Sequence, residues 1–277
     1  VLQGRGWRVP AVGVLGAAVV TGAIATASQP SSPDGRPAAG RAATSAAPAP
    51  SSTLPVVLSS CFVPSTPTNV SFDTAGAMEL TTLAAGVRDV ARGRGRVEAA
   101  VALAAPDVTA AQVAAATDSL LGLRPANRLT CAQPRAEVEP EEMGPDGLTP
   151  RAQRLRRAWT RVFGPLVSGG FAGGGVSTGH VDGSSHYDGR AVDVFFRPLG
   201  DLEQKRRGLV FAQWLVAHAE RYSVLSVIHA DRIWTSWAAY LGWRDYLHPS
   251  GDTRNPVLRH LEHVHVAVES GEPYRGG

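Results

Sequence analysis

The chain has 277 residues, of which 44% are hydrophobic and 18% charged, and a net charge of +3. That is enough apolar material for a sizeable core and excludes a wholly disordered protein. So small a charge over this length forms no concentrated basic face, which excludes nucleic acid as the expected partner. All eight histidines lie at or after His180, and both cysteines lie at or before Cys131. The asymmetry points to two folded units with different work.

Arg5 and Arg8 precede an apolar run from Val9 to Ala27 that ends Ala25-Thr26-Ala27. A positive flank, a hydrophobic stretch and a small-x-small exit read as a signal peptide over 1–27, with a retained membrane anchor as the alternative. Either reading puts the remainder outside the cytoplasm, secreted or at the cell surface. Residues 28–55 are almost entirely Ser, Pro, Ala, Gly and Thr. Such a segment buries too little apolar surface to offset its ordering entropy and is expected to be a flexible linker.

Residues 56–135 form the first expected unit, small and helical. The apolar spacing predicts helices over 74–91 and 109–122, separated by the Arg-Gly stretch around Arg92–Arg96. Asp107 and Thr109 stand where the second helix needs a cap, and Gly122 where it ends. Cys61 and Cys131 bracket this unit without a CxxC motif, so in an exported chain they are expected to form one structural disulfide. Pro140, Gly144, Pro145 and Gly147 mark residues 136–147 as an acidic linker.

Residues 148–277 form the second expected unit. Thr149-Pro150 opens a helix to about Phe163, with Leu155, Ala158, Trp159 and Val162 as its buried stripe and its arginines as the wet face. Beyond Gly164 a glycine-rich loop leads to strands expected over 191–196, 224–228, 232–237 and 264–268. A long amphipathic helix is expected over 202–222. A short helix over 257–261 is expected to end at His260, and His218 is expected to be a partly exposed structural residue. Strands interleaved with helices without a regular βαβ repeat predict an α+β domain with a mostly antiparallel sheet and flanking helices.

Two segments carry the chemistry: Ser184-Ser185-His186-Tyr187-Asp188-Gly189-Arg190-Ala191-Val192-Asp193 and Glu262-His263-Val264-His265. Imidazoles, a carboxylate and a spare glutamate are the parts of a catalytic divalent-metal site, which uses three protein ligands and keeps one position open. His186 and Asp193 converge only if the chain bends between them, and Gly189 suits such a bend. His263 and His265 alternate with valines and share one strand face, so spacing alone leaves the choice between them open. His180 is the best remaining polar group near the cleft.

Ser-x-His-x-x-Gly-x-Ala-x-Asp followed by Glu-x-x-His resembles the zinc D-alanyl-D-alanine carboxypeptidases and dipeptidases, whose fold also appears in the hedgehog signalling domain. The likeness runs from about Leu148 to Val268, and the wider sequence is similar to exported actinobacterial proteins with a helical N-terminal part. The resemblance implies one zinc ion per chain held by His186, Asp193 and His265, with Glu262 as general base and Ser184 bracing the loop. His263 becomes a partner that orients the site. The implied activity is hydrolysis of D-amino-acid-containing peptide bonds in peptidoglycan. The family's upstream Tyr-Arg is replaced here by Ser168-Gly169-Gly170-Phe171-Ala172, and its tryptophan before the last histidine by Val264. Arg190, Arg232 and His180 are the candidates to stand in for the arginine. Loss of such an electrostatic donor costs about 100- to 1000-fold in rate. The rival expectation is therefore a weak or inactive metal-binding module that recognises wall peptide or a protein partner.

Overall fold

A computed structural model describes residues 60–271; the expected leader, the linker and the chain's last residues lie outside them. The described residues belong to one compact unit, Thr53–Gly277. Its elements begin with strands β1 (Ser60–Val63) and β2 (Val70–Asp73) and helices α1 (Thr74–Ala85), α2 (Val90–Ala104) and α3 (Ala110–Leu120). Strand β3 (Thr130–Ala132) and helix α4 (Pro150–Phe163) follow, then strands β4 (Ser168–Gly169) and β5 (Ala191–Phe195). Helices α5 (Leu202–Ala217) and α6 (Ala219–Tyr222) lead to strands β6 (Val224–His229), β7 (Arg232–Thr235), β8 (Arg244–Asp245) and β9 (His263–Val268). Among the described residues, no helix is long and apolar enough to cross a membrane.

The small unit is not purely helical. It contains an antiparallel sheet in the order β2-β1-β3, in which Cys61 and Cys131 stand opposite each other and form the disulfide. The bond is consistent with an oxidising, extracytoplasmic location. The Arg-Gly stretch is also helical rather than a separator. Asp89 caps α2 by accepting from the Arg92 backbone N–H, and Gly93, Val97 and Val101 make its buried stripe while the arginines remain at the surface. Thr109 and Gln112 form a reciprocal capping box at α3. At α4, the Thr149 cap and first-turn proline stand as expected.

The second sheet is antiparallel, in the order β4-β5-β9-β6-β7-β8. One face carries Val192, Val194, Val227, Val264 and Val266 into the core. Helix α5 packs on that side and also touches α1, so residues 208–217 are buried all around rather than along one stripe. The expected long helix breaks at His218, which is buried and not partly exposed. Its Nδ1–H donates to the Trp214 carbonyl at 2.8 Å, and its ring stacks on Trp214.

The acidic segment does not separate two cores. A single hydrophobic cluster runs from Cys61 through Val268. Buried polar bonds cross between its two parts: Gln213 accepts from Leu129 N–H and donates to the Ser119 carbonyl, while Arg206 donates to the carbonyls of Leu121 and Val87. Such bonds are costly to leave half-made, so the first part is a structural wall of the second.

Candidate metal centre

The sheet face opposite the core is where the polar residues converge. Strand pairing sets Asp193 across from His265 and Phe195 across from His263, while Ile228 lies on the other side of His265. Because side chains alternate along a strand, Asp193, Phe195, His263 and His265 share this face, and the intervening valines fill the core. The donors are thus fixed by register in the two central strands.

His186 reaches the same point from the preceding loop. Gly189 has φ 65° and supplies the bend, and the Ser184 hydroxyl accepts from His186 N–H at 3.4 Å. His186 Nδ1 donates to the Gly170 carbonyl at 2.7 Å, which leaves Nε2 with its lone pair turned toward the strands. Gly170 has φ 80°, and a Cβ there would lie 2.3 Å from His186 Cε1. The glycine stretch that replaces the expected Tyr-Arg is therefore the seat of the first histidine.

His186 Nε2 lies 3.0 Å from His265 Nδ1 and 3.4 Å from Asp193 Oδ1, and the latter two atoms are 3.1 Å apart. Tetrahedral zinc bonds of about 2.0–2.1 Å set donor atoms about 3.3 Å apart, so this triangle has the size of one face of such a shell. His180, His186 and Asp193 also bring ligand atoms within 4.8 Å of one another and could hold a metal ion. His180 stacks on His186 with the ring planes 14° apart. Tyr187 tethers the His180 backbone through bonds in both directions, its hydroxyl donating to the carbonyl and accepting from the N–H.

A metal requires ionised carboxylate and neutral imidazole, and Asp193 meets the first condition. Burial alone would push the Asp193 carboxyl up, but the neighbouring His186 and His265 imidazoles hold it well below the usual carboxylate range. Burial pushes the His263 and His180 imidazoles down. His260 is pushed down to about 2 by burial and by the neighbouring His265 and His263.

His260 was not among the expected site residues. It ends no helix, because residues 256–260 form turns and His260 itself has φ 52°. Its ring is 4.6 Å from His263 and 5.9 Å from His265, with Tyr246 edge-on at 5.1 Å. Its place three residues before His263 was the available signal. His248 joins the rim, so His180, His186, His248, His260, His263 and His265 all line one cavity of about 300 Å³. His263 Nε2 is 3.9 Å from Asp193 Oδ1, and its buried Nδ1 has no hydrogen-bond partner.

Three expected residues stand outside the lining. Arg190 donates to the Val268 carbonyl and to Asp188 and does not line the cavity, so it is no substitute for the missing arginine. Arg232 is likewise not part of the lining and is paired with Asp245. Glu262 lies beside His263 but is also outside the lining. Arg197 grips both its carboxylate oxygens, Nε to Oε2 at 3.0 Å and Nη2 to Oε1 at 2.5 Å. Arg197 in turn lies over the Phe195 ring.

Fold and site together define an α+β domain whose antiparallel sheet carries a buried histidine-carboxylate cluster able to hold a metal ion. Residues 144–257 match the protein family described as VldE, C-terminal domain. The match covers less than half of the chain; it includes His180, His186 and Asp193 and ends before Glu262, His263 and His265. No curated protein and no solved structure matches the chain.

Proposed function

We propose that this chain is an exported zinc-dependent peptidase that hydrolyses D-amino-acid-containing peptide bonds of peptidoglycan. The observation that carries the reading is the triangle of His186 Nε2, Asp193 Oδ1 and His265 Nδ1 at the floor of an open, histidine-lined cavity. A zinc ion bound there supplies a Lewis acid and lowers the pKa of its water to about 7. The Gly170 carbonyl keeps His186 in the tautomer that presents Nε2. Asp193 stays ionised, and Glu262 is the carboxylate assigned to carry the proton from water to the leaving amine. Arg197 then positions Glu262 by holding both oxygens, and each oxygen keeps a second lone pair that can accept the proton.

A second reading, a metal-dependent binding module of weak or no activity, is favoured by that same pair. A carboxylate held at both oxygens and standing outside the cavity lining is poorly placed to abstract a proton.

Metal analysis of the purified chain and of His186→Ala comes first, followed by digestion of a peptidoglycan stem peptide by wild type and Glu262→Gln. About one zinc per chain that is lost in His186→Ala, with hydrolysis abolished by Glu262→Gln, supports the peptidase. Zinc bound without turnover supports the binding module. Absence of zinc uptake refutes both.

A further inference from the structure

A second cavity, of about 140 Å³, opens between the small sheet and the β7–β8 edge of the large one, and shares no lining residue with the metal centre. Phe62, Arg128, Thr130, Arg232, Leu241 and Trp243 make most of its wall. Its polar groups are out of balance. Arg128 is buried, and among the described residues its three hydrogen bonds all go to neutral carbonyls: Nε to Pro125, Nη1 to His229 and Nη2 to Ala230. A guanidinium has five N–H donors, so one hydrogen on each Nη is uncommitted. The nearby Asp231 is gripped at both oxygens by Arg259 and offers Arg128 no ion pair.

Arg232 brings a second positive charge to the same cavity. Its partner Asp245 is 93% exposed, and a pair so solvated competes poorly with a buried anion. Burial, then Arg232, push the Arg128 guanidinium down to about 10, and the nearby Asp231 carboxylate only partly offsets them. Thr130 is 2% exposed and lines the cavity, and its hydroxyl has no hydrogen-bond partner. A buried hydroxyl left unmade costs about 1–3 kcal/mol, which a ligand oxygen or an ordered water in the adjoining cavity would relieve. The flat wall is rigid: Trp243 Nε1 donates to the Leu129 carbonyl at 2.9 Å, and Arg128 lies over its ring at 5.1 Å.

We infer that this cavity binds a small oxyanion, a carboxylate or phosphate, carried on a flat apolar body. Arg128 and Arg232 clamp the charge, the Thr130 hydroxyl donates the third bond, and Phe62 and Trp243 sandwich or line the body. The assignment is independent of what the metal centre does.

The test uses the full chain and three probes with one ring each: benzoate, phenyl phosphate and the neutral benzamide. Binding is followed at constant ionic strength through the Trp243 indole N–H resonance, with the other indole signals reporting that the fold is intact. Saturable binding of either anion is expected, with benzamide weaker by about tenfold or more, the difference expected for a hydrogen bond to a charged partner. The ratio of benzoate to phenyl phosphate identifies the headgroup. Arg232→Gln, at a half-exposed position, is expected to weaken the anions by about tenfold while leaving benzamide unchanged. Thr130→Val is expected to weaken them several-fold. Benzamide binding as tightly as the anions, or anion binding indifferent to Arg232→Gln, overturns the inference, as does no binding of any probe.

Discussion

Gly170→Ala tests whether the glycine stretch positions the first metal ligand. The new Cβ would stand 2.3 Å from His186 Cε1, 2.5 Å from His186 Nδ1 and 3.2 Å from Asp193 Oδ2. These are the groups that define the donor triangle, and they are seated in strands and a tethered loop with little room to retreat. Either the imidazole swings away or the Gly170 backbone moves and its carbonyl loses His186 Nδ1; both misdirect Nε2. Disturbing the partner that orients a metal-bound histidine costs about 10- to 100-fold in metal affinity. The positive φ of 80° adds a conformational penalty of about 1–2 kcal/mol. In a folded unit of this size that lowers the melting temperature by about 2–8 °C. Zinc affinity from competition with a chromophoric chelator, and thermal melts with and without zinc, measure the two effects separately. A variant that melts lower but binds zinc with wild-type affinity would refute the positioning role and leave Gly170 as a backbone requirement only.

The disulfide closes a sequence separation of 70 residues, which on the chain-entropy model is worth about 4 kcal/mol. Cys61→Ser/Cys131→Ser is therefore expected to lower the urea midpoint, and because the two parts share a core, the metal-site half should melt with the first part in one transition. Two separated transitions would contradict the shared core. His218 carries a pH dependence: burial pushes its imidazole down to about 4, so the unfolded chain binds a proton that the folded chain resists. The folded state is then undisturbed above about pH 6.5 and loses stability as pH falls toward 4, by about 2 kcal/mol at pH 5. Urea unfolding of wild type and His218→Gln at pH 7.5 and pH 5 checks this, and an equal loss in both proteins would reject His218 as the source.

What the sequence discloses depends on how local its cause is. Most of the α4 stripe is legible because one turn after another repeats it beside its cap and first-turn proline, but Arg151 is buried rather than on the wet face and Val162 is only half-buried. Helix α2 is obscured because arginines occupy its wet face and a glycine its dry one. Gly93 is there because a Cβ would approach Val87 Cγ1 to 2.6 Å, a fact about packing that composition cannot express. Helix α5 looks one-sided from its charged first turns, yet α1 covers the side away from the sheet. His260 follows the same logic, since its turn backbone folds it back toward His263 and His265, and only its place three residues before His263 hints at this rather than a helix end.

The metal centre divides along this line as well. Its donors are readable because only a few side chains can bind a divalent ion, and they recur at spacings that a strand or a bent loop can use. The atoms that aim them are not readable. His186 is oriented by a glycine carbonyl 16 residues upstream, and any residue carries a carbonyl. Glu262 meets Arg197 across 65 residues because Phe196 N–H bonds the Glu262 carbonyl and extends the β5–β9 pairing by one step. The arginine missing from its expected upstream position is thus matched by one just past the end of β5, gripping the glutamate. Because Arg197 sets where Glu262 stands, Arg197→Ala is the sharper probe of the two readings. In the peptidase it disturbs the proton carrier and lowers turnover without changing zinc content; in a binding module it leaves nothing catalytic to lose.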